Sequence, residues 1–168
     1  MVDSTVSKTI IKNGALVTDN WQLVAKDASS IPAGENLLLP LALWLQECDA
    51  TNKRNDIAVW FDSEDLPTAE IASALQKLPL IAVNFPVFTD GRGFSIARLL
   101  RERFNYQGEL RAIGYVLRDQ LCFMKRCGFN SFDLSENTDV ESALESLNDF
   151  TEYYQTSVDQ PQPLFRRS

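Results

Sequence analysis

Residues 81–134 read IAVNFPVFTDGRGFSIARLLRERFNYQGELRAIGYVLRDQLCFMKRCGFNSFDL, and this stretch decides the fold. Residues 80–85, 109–113 and 129–134 are short apolar runs of strand length. Between them, residues 94–104 place Ile96, Leu99, Leu100 and Phe104 on one helical stripe, and residues 115–127 form a second helix. Gly128 supplies a left-handed cap for that second helix. Outward from this centre the same alternation continues. Residues 57–61 (IAVWF) read as a strand, and a helix opened by Pro67 carries Ile71, Ala72, Leu75 and Leu78 on one side before Pro79 ends it. Downstream, residues 139–154 place Val140, Ala143, Leu144, Leu147 and Phe150 inward. Strand and helix therefore alternate four times. The expected class is α/β, with four successive β-α units joined into a parallel sheet by right-handed crossovers. Such a sheet is either half of an eight-stranded barrel or a small open sheet. Helices on both faces would account for the continuous apolar runs.

The N-terminal third reads differently. Residues 9–25 alternate as a β-hairpin, with turn signals at Asn13-Gly14 and Asp19-Asn20 and with Trp21, Leu23 and Ala25 on one face. Residues 36–48 (NLLLPLALWLQEC) have helical length, with Pro40 in the first turn, where its missing N–H costs least. The expected organisation is a hairpin extension over 1–35, a β/α domain over 36–154 and a flexible tail over 155–168.

The 168 residues suffice for one domain with a full core, and the net charge of −7 argues against nucleic acid as a partner. That charge is uneven. Residues 92–126 hold eight cations against three carboxylates, a local +5 that leaves −12 elsewhere. A basic region in an acidic chain suits a small anion or an acidic partner surface, although each arginine taken singly also suits a solvated helix face. No run is apolar and long enough for a membrane span, and no secretory signal is legible, so a cytoplasmic location is expected. Cys48, Cys122 and Cys127 form no CxxC pair and read as reduced, packed thiols. The chain has no histidine, which removes Ser-His-Asp and Cys-His catalysis and imidazole metal sites, and no metal site is assigned.

In parallel α/β folds, ligands bind where strands end and helices begin. Asp62 and Glu64, the loop 86–93, Gly114 with Arg118, Asp119 and Gln120, and Ser135, Glu136 and Asn137 all fall on that edge. Gly91, Arg92, Gly93 and Ser95 read as an anion site: glycines offering backbone N–H groups, a helix start, and a guanidinium fork suited to sulfite, sulfate or phosphate. A tight turn capped by Asp90 and paired to Arg92 is the competing reading. Arg111 lies mid-strand, where an inward guanidinium needs a partner such as Asp90, Asp119 or a bound anion and a solvated edge-strand placement is the alternative, and the expectation is that Arg92 and Arg111 converge on one space. Asp90, Asp119, Gln120 and Arg118 would orient them. The candidate acids and bases are Asp62, Asp90, Asp119, Lys125 and Tyr115, none at a diagnostic spacing. Neither a dinucleotide fingerprint nor a Walker motif follows Gly91-Arg92-Gly93, since the third glycine position is Ile96.

The motifs DGRGFS (90–95), GELRAIG (108–114), VLRDQL (116–121) and RCGF (126–129), with PLALW at 40–44, resemble a proteobacterial domain-of-unknown-function family. Members of that family are encoded beside assimilatory sulfite reductase and are labelled, from gene neighbourhood, as oxidoreductases of sulfite reduction. The resemblance covers about residues 35–150. It implies a cytoplasmic accessory protein of sulfur assimilation with an oxyanion pocket. The alternative reading is a non-catalytic partner that docks on a reductase subunit through the basic helix surface at Arg98, Arg101 and Arg126, and a third is a half-barrel that dimerises. An oxidoreductase would need a flavin, nicotinamide or iron centre. No fingerprint for one is legible, so cofactor and catalytic residues stay unassigned.

Overall fold

The structure, a computed structural model, describes residues 8–148, 157–158, 160–162 and 166. Strands form at β1 (Lys8–Lys12), β2 (Ala15–Asp19), β3 (Gln22–Leu23), β4 (Leu37–Pro40), β5 (Ile57–Phe61), β6 (Leu80–Phe85), β7 (Glu109–Gly114) and β8 (Ser131–Phe132). They make one mixed sheet in the order β2-β1-β8-β7-β6-β5-β4-β3. The strands from β3 to β8 run parallel, and β1 is antiparallel to both of its neighbours.

Residues 36–48 depart from the expected single helix. Leu37–Pro40 is a buried strand, and only Leu41–Gln46 (α1) and Cys48–Thr51 (α2) are helical. The reason lies at Pro40, which has an extended ψ of 146° and no N–H, so the helix starts after it and the three leucines before it join the ladder. The remaining helices are shorter than their periodicity suggests: α3 (Ala72–Leu75), α4 (Arg92–Arg98) continued by a π turn over Leu99–Arg103, a 3-10 turn over Arg118–Gln120, α5 (Leu121–Cys127) and α6 (Val140–Ser146). The end of the helix expected over 139–154 and most of the expected tail lie outside the described residues. Gly128 caps α5 at φ 114°.

β1 and β2 turn at Asn13-Gly14, whose φ values of 49° and 75° match the right-handed strand twist. This pair continues the sheet through β8 rather than lying apart from it. β2 and β3 stand at opposite ends of the strand order, yet only Asn20 and Trp21 separate them. Three Cα–Cα steps reach roughly 11 Å, so the sheet must curl until its two edges approach.

The curl gives the faces different fillings. Apolar side chains of α1, α3, α4, α5 and α6 share one core with Leu39, Val59, Ile81, Val83, Leu110, Ala112 and Phe132. A second cluster, Leu38, Ala58, Trp60, Leu80, Ala82 and Ile113 with Trp21 against it, contains no helix residue. Helices therefore cover one face, and the continuous apolar runs of β5 and β6 are buried on the other by the curl itself. This corrects the expectation of two helix-covered faces. Trp60 fixes the crossing chain in place by donating from Nε1 to Val24 O at 3.1 Å. Among the described residues, no helix is long and apolar enough to cross a membrane.

Candidate functional site

The strand ends place a polar cluster at the rim. Asp62, following β5, accepts from Lys26 Nζ at 2.5 Å, from Ser63 N at 2.9 Å and from Asn84 Nδ2 at 3.1 Å. Burial pushes its carboxyl up, but these bonds and the Lys26 charge outweigh burial and hold it below the usual carboxylate range. The same contact raises Lys26, which is therefore an ammonium at neutral pH and no nucleophile. Asn84 presses against Gly114, where φ is 85° and an added Cβ would stand 2.6 Å from Phe85 O. Glycine is needed there both for its backbone and for the space.

In the adjacent loop, Asp90 accepts from the Arg92 backbone N at 3.1 Å, from Nε at 2.9 Å and from a terminal nitrogen at 2.7 Å. Hydrogen bonds from the Arg92 side chain and backbone hold the Asp90 carboxyl far below its ordinary range. The chain's own carboxylate thus takes the position an oxyanion would occupy. The glycines act otherwise than the sequence suggests. Gly91 has an ordinary φ of −87°, and Gly93 is needed because a Cβ would meet the Phe85 ring at 2.7 Å. Arg92 and Ser95 line a cavity of about 290 Å³ with Ser63, Glu64, Leu66 and Ile96.

Arg111 lies elsewhere. Its register mates across the sheet are Ala82 and Ser131, and Ser131 is in turn the mate of Lys12. It is 3% exposed and points into the concave, helix-free face. Nε and one terminal nitrogen donate to Glu109 Oε1 at 3.0 and 2.7 Å, Nε also reaches Ser131 Oγ at 3.3 Å, and the other terminal nitrogen bonds Asp19 Oδ1 at 2.9 Å. Lys12 Nζ closes the network on Glu109 Oε2 at 2.7 Å. Burial pushes Glu109 up, but the Arg111 charge and bonds from Lys12, Arg111 and Ser131 together bring it below its ordinary value. Arg111 lines a second cavity of about 440 Å³ with Lys12, Asp19, Trp21 and Glu109. The expected convergence of Arg92 and Arg111 is thus corrected. Alternation sends Arg111 into the concave face, whereas Arg92 starts a helix on the opposite one. Asp119, Gln120 and Arg118 sit in a 3-10 turn and are not among the hydrogen-bond partners of either guanidinium.

Two features of the rim were not singled out in the sequence. Lys26 lies in what reads as plain loop, and Asn84 is the one polar residue in LIAVNF, an inward polar position that alternation could have flagged. Four of the eight exposed large apolar side chains among the described residues also gather here: Leu66 (63%) after β5, Val87 (53%) and Phe88 (58%) after β6, and Tyr115 (49%) after β7, while Leu16, Leu23, Leu45 and Phe123 lie on β2, β3, α1 and α5. These three strands are neighbours in the sheet. The basic helix face is less available than its composition suggests. Arg101 donates to Gly128 O, Tyr106 O and Gly108 O, Arg126 is half-buried, and Arg98 pairs with Glu102 at 3.2 Å. Among the described residues, no group of three or more Cys, Asp or Glu side chains could hold a metal ion.

A family of bacterial proteins of unknown function, DUF934, matches residues 58–165. No curated protein and no solved structure matches the chain.

Proposed function

We propose that this chain, which belongs to the bacterial DUF934 family, is a docking protein whose working surface is the rim at the C-terminal ends of β5, β6 and β7. The observation that carries this reading is the set of Leu66, Val87, Phe88 and Tyr115, each about half exposed or more, in three successive loops. Adjacent strands lie about 4.8 Å apart, so these side chains stand within reach of one another and frame the paired groups Lys26–Asp62–Asn84 and Asp90–Arg92. Exposed aromatic and aliphatic anchors around satisfied polar pairs match the make-up of protein interfaces. The internal pairing of Lys26 with Asp62 and of Arg92 with Asp90 suits recognition better than turnover. The resemblance to proteins encoded beside sulfite reductase makes a subunit of that reductase the partner to try.

Purified reductase subunits titrated against the chain by calorimetry test this. Phe88→Ser and Leu66→Ser are expected to weaken binding at least tenfold, while Arg98→Glu leaves it unchanged. Binding that ignores the rim variants and falls with Arg98→Glu would return the interface to the basic helix face. A small oxyanion at Arg92 is the second reading, supported by Ser63, Arg92 and Ser95 in one cavity. It requires displacement of Asp90, so sulfite, sulfate or phosphate should stabilise Asp90→Ala in a thermal-shift assay and leave the parent chain unmoved.

A further inference from the structure

The concave face holds a second feature, independent of the rim. From β4 to β6 it is packed with Leu38, Ala58, Trp60, Leu80 and Ala82. From β7 to β1 the same rows carry Glu109, Arg111, Ser131 and Lys12, and Glu109, Arg111 and Lys12 line, with Asp19 of β2, a cavity of about 440 Å³. Taking Glu109, Arg111 and Asp19 largely out of water is costly, and apolar side chains of similar size would serve packing as well or better. The network is also not saturated. A guanidinium has five N–H groups, and Arg111 spends Nε–H and one hydrogen on each terminal nitrogen, so two remain without a protein acceptor among the described residues. Asp19 Oδ1 takes both the Trp21 N–H at 3.1 Å and Arg111, which leaves Oδ2 with no donor among the described residues. Lys12 gives one hydrogen to Glu109 and is half-exposed.

We propose that this cavity binds a small zwitterion of the free α-amino-acid class. Its carboxylate would lie on the spare N–H groups of Arg111 and Lys12, and its ammonium on Asp19 Oδ2, beside the Trp21 ring. The charge pattern selects this class. With Lys12 and Arg111 set against Asp19 and Glu109, the lining has no net charge to attract a simple anion or cation, but it presents both signs within one small space. The volume lies within the range of small-molecule sites.

Calorimetry on the full chain with glycine, L-serine, L-glutamate and L-lysine tests the assignment, with acetate, ethylamine and sulfate as single-charge controls. At least one amino acid is expected to bind with a Kd below about 1 mM, and the controls are expected to give no heat at the same concentration. Asp19→Asn should weaken that binding roughly tenfold. Lys12→Gln alters a half-exposed side chain and keeps an N–H donor for Glu109, and it should weaken the same ligand. No amino-acid binding up to about 10 mM, equal binding of acetate or sulfate, or unchanged affinity in both variants would overturn the proposal.

Discussion

The concave face compares two solutions to one geometric problem. Trp60, Ala82, Arg111, Ser131 and Lys12 lie in a single row across neighbouring strands. Where the row passes β5 and β6, the space is filled by an indole and small aliphatic groups, with the Trp60 N–H satisfied by Val24 O. Where it passes β7, β8 and β1, the space is spanned by a guanidinium and two carboxylates that tie three strands together. The apolar half gains stability from area removed from water, at about 25 cal/mol per Å². The charged half contributes little by that measure and instead fixes which strands meet, because Arg111 reaches across β8 and β1 to Asp19. One half of the face is therefore tolerant of substitutions that keep volume, and the other of substitutions that keep charge balance.

That contrast can be broken or sharpened by experiment. The largest effect is expected for Arg111→Met, which leaves Glu109 buried with half its counter-charge and Asp19 with none, at a cost of about 3–5 kcal/mol in urea unfolding. Adding Glu109→Leu should recover part of that loss. A double variant as unstable as the single would show that the two charges are not coupled. In the apolar half, Leu80→Ala should cost about 2–5 kcal/mol, with no companion change that restores it. Gly114→Ala forces a side chain into φ 85° against Phe85 O, and should cost at least about 1–2 kcal/mol. Acid separates the halves more gently. Glu109 titrates lower folded than unfolded, so its contribution is complete above its unfolded value of about 4.3 and is lost as pH falls through and below it. Glu109→Gln should flatten that acid limb, whereas Leu80→Ala should shift the whole profile down without changing its slope. The smallest effect on stability is expected at the rim, where Phe88→Ser should stay within about 0.5 kcal/mol.

How much of this was legible follows from the kind of signal each residue sends. The strands at Ile57–Phe61 and Leu80–Phe85 were legible because buried parallel strands are apolar on both faces, whatever covers them, and Glu109–Gly114 because its apolar face alternates with Glu109 and Arg111. β4 was not, because LLLP followed by LALW is apolar at every period, and only the position of Pro40 divides strand from helix. The charge on Arg111 and its inward direction could be read from alternation in GELRAIG. Its partner Asp19 could not, since nothing local says that a residue near the N-terminus will lie opposite β7 across a curled sheet. Arg92 and Asp90 were readable as a pair from their spacing, which was the competing reading all along. Within the Gly91-Arg92-Gly93 pattern, Gly93 meets a structural need, close approach to Phe85, that looks in sequence the same as a ligand loop.

The register of Ile11 opposite Phe132 has a consequence for how the molecule comes into being. The hairpin emerges during synthesis well before the strand it must lie against. In the interval Ile10 and Ile11 belong to a ribbon with an open edge, the kind of surface that recruits other chains. Lys8 and Lys12 flank those two isoleucines and later reach Asp133 and Glu109, so the same lysines that complete the finished sheet also guard the nascent one against self-association.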